Sequence, residues 1–219
     1  MSHQPSEEEL RNIARQLRQP EGEHGIKTGE MMNVSNIGMT NSAIDALNLC
    51  DEETVLEIGH GNGGHIANLL SKALHLKYVG ADISETIITE AKRITTDFIG
   101  QVDFKLTNGI SLPFSDAQFD KIFSVNTIYF WENPVAYLLD IKRVLKPGGS
   151  FLLCFADKSF MEKLPFTKYG FILYDLDAII ALLQEAGFNI GVSIKKTEQI
   201  KSSLGFMVER DYYVVSASK

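Results

Sequence analysis

Cysteine is nearly missing: Cys50 and Cys154 are the two in 219 residues. Their placement fits neither a metal-ligand spacing nor a disulfide framework. Cys154 lies inside FLLCFA, which reads as a buried strand in which a thiol is inert. No apolar run approaches the roughly 20 residues a membrane helix needs. The first ten residues, MSHQPSEEEL, are polar and acidic and do not read as a signal peptide. A cytoplasmic protein without membrane insertion is the expectation. Positive charge is short as well, with 21 Lys and Arg against 28 Asp and Glu and a net charge of −7. That balance argues against a general nucleic-acid or anionic-membrane surface, although it leaves room for a local basic groove. Internal repeats and low-complexity tracts are lacking. What remains is ordinary globular composition, 44% hydrophobic and 22% charged, at a length suited to one large core. Oligomeric state is not legible.

The stretch TVLEIGHGNGGH, residues 54–65, organises the chain. Thr54 to Ile58 is a short apolar run that reads as a buried strand. Gly59, Gly61, Gly63 and Gly64 follow at once, and then apolar residues at Ile66, Leu69, Leu70, Ala73 and Leu74 predict a helix over 62–74. Strand, glycine turn and helix are how an open α/β sheet presents backbone to a ligand at the end of its first strand. Gly59, Gly61 and Gly64 also satisfy the dinucleotide fingerprint. Glu57 tilts the choice, because a carboxylate two residues before the first glycine sits badly beside a pyrophosphate and well beside a cation.

On these residues the chain resembles the class I S-adenosylmethionine-dependent methyltransferases, whose first motif places an acidic residue and three alternating glycines where Glu57, Gly59, Gly61 and Gly63 stand. A second likeness is LPFSDAQFDKIFSV, residues 112–125, with RVLKPGGSFLL a third, structural one. Asn108 stands where an Asp is commoner in the family, and the quinone-biosynthesis methyltransferases that the chain resembles carry Asn there. The resemblance covers roughly residues 54–187. It implies a doubly wound, seven-stranded Rossmann-like α/β sheet with an antiparallel last strand. It also implies S-adenosyl-L-methionine as cofactor and S-adenosyl-L-homocysteine as product. The binding residues it implies are Glu57, Gly59, His60, Gly61, Asn62 and Gly63, then Asp82 and Ile83, then Asn108, Gly109, Ile110 and Asn126. Asp82 would take ribose hydroxyls, a role its interval of 23 residues from Gly59 also supports. Asn108 would accept from the adenine amino group, with Gly109 and Ile110 against the ring.

The flanking chain completes the expectation. Ser6-x-x-Glu9 is a capping-box pattern opening an amphipathic helix that ends before Pro20. Residues 19–38 read as a loop carrying Gly22, Gly25, Gly29 and Gly38, with a second short helix from Thr40 or Asn41 to Asn48. Residues 1–50 thus form an N-terminal helical segment ahead of a 51–219 cofactor-binding domain, the whole being one globular unit. In the resembled family such a segment folds over the cofactor mouth; a peripheral packing arm is the alternative. Lys77–Asp82, Gln101–Leu106, Phe119–Val125 and Phe151–Ala156 are further strands. Asn133-Pro134 starts a helix whose buried face is Val135, Leu138, Leu139, Ile141 and Leu145. Residues 157–174 form a long aromatic loop of the kind that covers a site. A helix capped by Asp175 and two strands, from Phe188 and from Arg210, end the chain as an antiparallel pair with one antiparallel edge element, the joining segment over 198–205 being too short for a crossover.

The expected chemistry is in-line methyl transfer to a small, apolar or quinone-like acceptor. Asn126-Thr127-Ile128-Tyr129 is similar to the Asn-Pro-Pro-Tyr of amino-methylating enzymes but lacks both prolines. Phe130 and Trp131 read as walls of a substrate pocket or as packing. Met31, Met32, Phe160 and Phe166 read as a hint of an apolar acceptor or as lid packing. The catalytic residue is unassigned; His24, His60, His65, Tyr129 and Glu132 are the candidate bases. No metal cluster is expected. A nicotinamide-dependent oxidoreductase using the same glycines, and a non-catalytic nucleoside-binding module, are the alternatives.

Overall fold

A computed structural model describes residues 5–201 and 207–219. Seven strands form one sheet in the order β3-β2-β1-β4-β5-β7-β6. They are β1 (Thr54–Ile58), β2 (Lys77–Asp82), β3 (Val102–Leu106), β4 (Phe119–Val125), β5 (Leu145–Ala156), β6 (Asn189–Lys201) and β7 (Met207–Ser218). The first five pair in parallel, while β7 runs antiparallel to both β5 and β6. The helices are α1 (Glu7–Arg18), α2 (Gly22–Ala46), α3 (Ile66–Leu70), α4 (Glu85–Ile94), α5 (Pro134–Val144), α6 (Lys158–Met161) and α7 (Leu176–Glu185).

Strand order reverses between β1 and β4, so their carboxyl ends flank a crevice. Apolar runs built this sheet: Val55, Leu56, Ile122, Phe123 and Leu153 are fully buried, as strands covered on both faces require. Local signals set the helix starts. Ser6 and Glu9 close a reciprocal capping box, Asn133 caps α5 with proline following, and Asp175 accepts from the Ala178 amide.

Several expectations need correction. The antiparallel strand is not an edge: β7 is inserted between β5 and β6, and β6 is the edge. β6 takes in residues 198–201 of the expected joining segment, whose residues 202–205 lie outside the described residues. Residues 19–38 are not a loop but most of α2. Gly22 does take a positive φ, but Gly25, Gly29 and Gly38, which also suggested turns, are packing positions. A Cβ on Gly25 would sit 2.6 Å from the Pro20 carbonyl carbon, and one on Gly29 would sit 2.7 Å from Ile87. Glycine costs helix propensity but lets neighbours approach the axis. α3 is only five residues long, because left-handed Gly63 delays its start and Leu74 is exposed beyond its end. On α5, Leu139 faces solvent and Tyr137 takes its place inside.

The 157–174 stretch is not a cover. It contains α6 and a short 3-10 turn over Pro165–Lys168, and it packs on the core. Phe171 meets Phe130 edge-on with ring centroids 4.6 Å apart, and Arg11 of α1 lies over Tyr169 at 4.5 Å. Among the described residues no helix is long and apolar enough to cross a membrane.

Candidate functional site

The crevice at the strand switch opens into a cleft enclosing about 1170 Å3 of atom-free space, its open mouth included. Its floor is the β1 end and the glycine turn. Gly59, Gly61 and Gly63 all take positive φ, of 75°, 57° and 78°. A Cβ on Gly59 would collide with Thr127 at the end of β4, so glycine is required here on both counts. The Gly59 amide donates to Ala81 O at 2.8 Å and ties the turn to the end of β2.

Twelve residues were expected to bind, and the structure brings nearly all of them to this one cleft. Glu57, Gly59, His60, Gly61, Asn62, Asp82, Ile83, Asn108, Gly109, Ile110 and Asn126 line it. Gly63 stands behind the turn instead, buried against Ala91 and Ile66. Asn108 sits at the exposed rim, where its Oδ1 accepts from the amides of Ile110 and Ser111, both at 2.9 Å. Asn126 is held in the left-handed region, φ 58°.

Glu57 is 2% exposed and is not a bare anion. Its Oε2 accepts from Tyr78 Oη at 2.5 Å and contacts His65 Nε2 at 2.6 Å. Burial and the neighbouring Glu57 charge push the Tyr78 phenol well up, so it is a lasting donor. Asp82 accepts from the Ser84 amide at 2.9 Å through Oδ1. Burial raises its pKa from the ordinary carboxylate value, and His60 offsets part of the rise.

His60 Nδ1 lies 2.7 Å from Gly61 O; a carbonyl only accepts, so Nδ1 carries the proton. Nε2 is then a buried lone pair with no hydrogen-bond partner among the described residues. Burial lowers the pKa of the ring, with Asp82 and Glu57 opposing, and the neutral form persists. The ring lies on Gly80 and Phe104; a Cβ on Gly80 would meet it at 2.7 Å.

The candidate bases fare poorly. Tyr129 is buried, its hydroxyl accepts from the Ala156 amide at 2.7 Å, and it is within donating distance of Asn126 Oδ1 at 3.0 Å. Burial drives its pKa far up, which suits a brace and not a base. His24 is exposed on α2, and Glu132 is exposed and paired with Arg18 at 3.2 Å. His60 and His65 are buried rather than solvated.

The remaining wall comes from the first fifty residues. Leu17 and Arg18 of α1, and Met32, Asn33, Asn36 and Thr40 of α2, line the cleft. Their junction is fastened beside Asp82: Gln19 Nε2 donates to Ile83 O at 3.0 Å, and Ser84 Oγ donates to Pro20 O. Sequence reading missed Asn33 and Asn36 because it placed a loop over 19–38; with Thr40 they stand at helical spacing and would have shared a face. Phe130 and Trp131 also line the cleft, whereas Phe160 and Phe166 do not. Among the described residues no group of acidic, histidine and cysteine side chains could hold a metal.

Comparison with known proteins agrees with this geometry. Residues 56–153 match the family profile described as a methyltransferase domain. Phosphoethanolamine N-methyltransferase 1 of Arabidopsis thaliana is 26% identical over 186 residues, 82% of this chain and 37% of that protein. An uncharacterized protein of Methanocaldococcus jannaschii is 33% identical over 154 residues, 66% of this chain and 67% of its own length. A demethylmenaquinone methyltransferase of Tropheryma whipplei is 33% identical over 113 residues, 52% of this chain and 46% of that one. Among solved structures, a SAM-dependent methyltransferase from Aquifex aeolicus superposes with a TM-score of 0.65 at 19% identity, covering 94% of this chain and 97% of that one. The chain spans little more than a third of the plant relative's length.

Proposed function

Because the chain belongs to the class I S-adenosylmethionine-dependent methyltransferase family, we propose that it transfers a methyl group from S-adenosyl-L-methionine to a small molecule. The observation carrying this reading is the acidic, glycine-floored cleft. Two carboxylates, Glu57 and Asp82, line a turn that admits backbone approach and offers no cationic side chain for a pyrophosphate. That chemistry suits a guest with a sulfonium and an ammonium, and disfavours the nicotinamide alternative.

Asp82 takes the ribose hydroxyls, and the rim at Asn108, Gly109 and Ile110 takes the base. With its Oδ1 holding two amides of its own turn, Asn108 reaches the adenine amino group only through a remaining lone-pair direction or after that turn loosens. The bound cofactor supplies an already activated methyl group, so the protein's work is alignment and exclusion of water. An acceptor lone pair forms the new bond to carbon, the carbon–sulfur pair stays on sulfur, and the acceptor's proton leaves to water. Residues 1–50 act as the cover of the cleft, as the lining by α1 and α2 supports.

Incubation with methyl-tritiated S-adenosylmethionine and a panel of small hydroxy, amino and thiol compounds tests the proposal. Transfer of label to one class is expected. Tight cofactor binding with no transfer across the panel favours the non-catalytic nucleoside-binding alternative.

A further inference from the structure

Resting on the methyl-transfer reading, we infer that Asn36 of α2 anchors an oxygen of the acceptor, and that the acceptor is a neutral carbonyl- or hydroxyl-bearing molecule. The orientation of the Asn36 amide is fixed by its neighbours. Arg210 Nη1 lies 3.0 Å from Asn36 Oδ1, and a guanidinium can only donate. The Asn126 Nδ2 group donates to the same oxygen at 3.2 Å. Asn126 is fixed in turn, because the Ala156 amide donates to its Oδ1 at 3.1 Å. With Oδ1 committed twice, what Asn36 has left is its NH2 group, which has no hydrogen-bond partner among the described residues. Asn36 lines the cleft.

That donor is held rigidly. Arg210 is 4% exposed, pairs with Glu198 at 2.6 Å and donates to Ser35 O at 2.7 Å. The β6–β7 pair thereby clamps α2, so the NH2 group needs little reordering when a guest arrives. Asn33 and Thr40, three residues before and four after, share the cleft-facing side, and neither side chain has a hydrogen-bond partner among the described residues.

Charge narrows the guest further. Among the described residues, Arg18 is the one Lys or Arg lining the cleft, and Glu132 pairs with it. Glu57, Asp82 and Glu132 outweigh it, so a phosphate or carboxylate acceptor lacks a counter-ion. An ammonium acceptor is excluded at this point because an NH2 group cannot accept from it. Met32 and Phe130 supply apolar wall beside these amides, which suits a phenol or hydroquinone.

The experiment compares wild type with Asn36→Asp, which keeps an acceptor for Arg210 and Asn126 but exchanges the NH2 group for an oxygen. Acceptors are a neutral panel of 2-methylhydroquinone, catechol and 2-naphthol, against phosphoethanolamine and decanoate. S-adenosylhomocysteine affinity is measured in parallel by calorimetry. Wild type is expected to methylate a neutral compound and neither charged one. The variant should lose about ten-fold or more in kcat/KM, chiefly through KM, with S-adenosylhomocysteine affinity within about two-fold of wild type. The inference is overturned if the variant methylates as well as wild type, or if a charged acceptor is the one used. Failure of wild type to bind S-adenosylhomocysteine, or binding with no transfer to any acceptor, counts instead against the methyl-transfer reading and takes the inference down with it.

Discussion

Replacing Asp82 with alanine weakens binding of S-adenosylhomocysteine by about 2–4 kcal/mol, roughly thirty-fold or more in Kd. The carboxylate lines the cleft at the end of β2, and one of its oxygens is already engaged by the Ser84 amide. A ribose presents two adjacent hydroxyls, and charge-assisted bonds to them are the strong kind. The same residue weakens the empty protein. Burial raises its pKa in the fold, so ionisation is harder there than in the unfolded chain. A carboxyl shifted upward contributes its stability at low pH and loses it as pH rises from the ordinary value of 3.8 through the folded one. At neutral pH the ionised group therefore opposes folding, and Asp82→Asn, which keeps an oxygen for the Ser84 amide, should raise the melting temperature of ligand-free protein while binding falls. Calorimetry and thermal melts on the same preparations check both signs. Unchanged affinity in the alanine variant removes Asp82 from the site.

Glu57→Leu carries the second large effect, on stability first. The carboxylate is the acceptor for the Tyr78 hydroxyl and the partner of His65 Nε2, both buried. Leucine fills the space and leaves both polar groups stranded. An unsatisfied buried donor costs about 1–3 kcal/mol, so a loss of about 2–6 kcal/mol is expected in urea unfolding. The double variant Glu57→Leu with Tyr78→Phe should recover part of that loss, because one stranded hydroxyl is gone. Equal stability of Glu57→Leu and wild type would show that the carboxylate is not engaged as described.

Much of this was readable from residues alone, for a physical reason. The β1–turn–β2 unit is specified locally: apolar runs fix the strands, and positive φ at Gly59 and Gly61 is what alternating glycines announce. Asp82 and Asn126 fell to strand ends by the same logic. The α2 wall was not legible because Gly25, Gly29 and Gly38 serve close packing against Pro20, Ile87 and Glu198, contacts that the residue pattern does not announce. The engagement of Glu57 with Tyr78 was equally hidden, since a pairing between neighbouring strands depends on register. The aromatic stretch at 157–174 misled for the opposite reason: its rings pack on Phe130 and one another, and aromatic composition alone does not separate a cover from a core.

The central claim is that the glycine-floored cleft is negative because its guest is a cationic nucleoside. Parallel calorimetric titration of the unmodified protein with S-adenosylmethionine and with NADH tests it most directly. Saturable one-to-one binding of S-adenosylmethionine, with no heat from NADH at the same concentrations, is the predicted result. Saturable NADH binding with none of S-adenosylmethionine would contradict it.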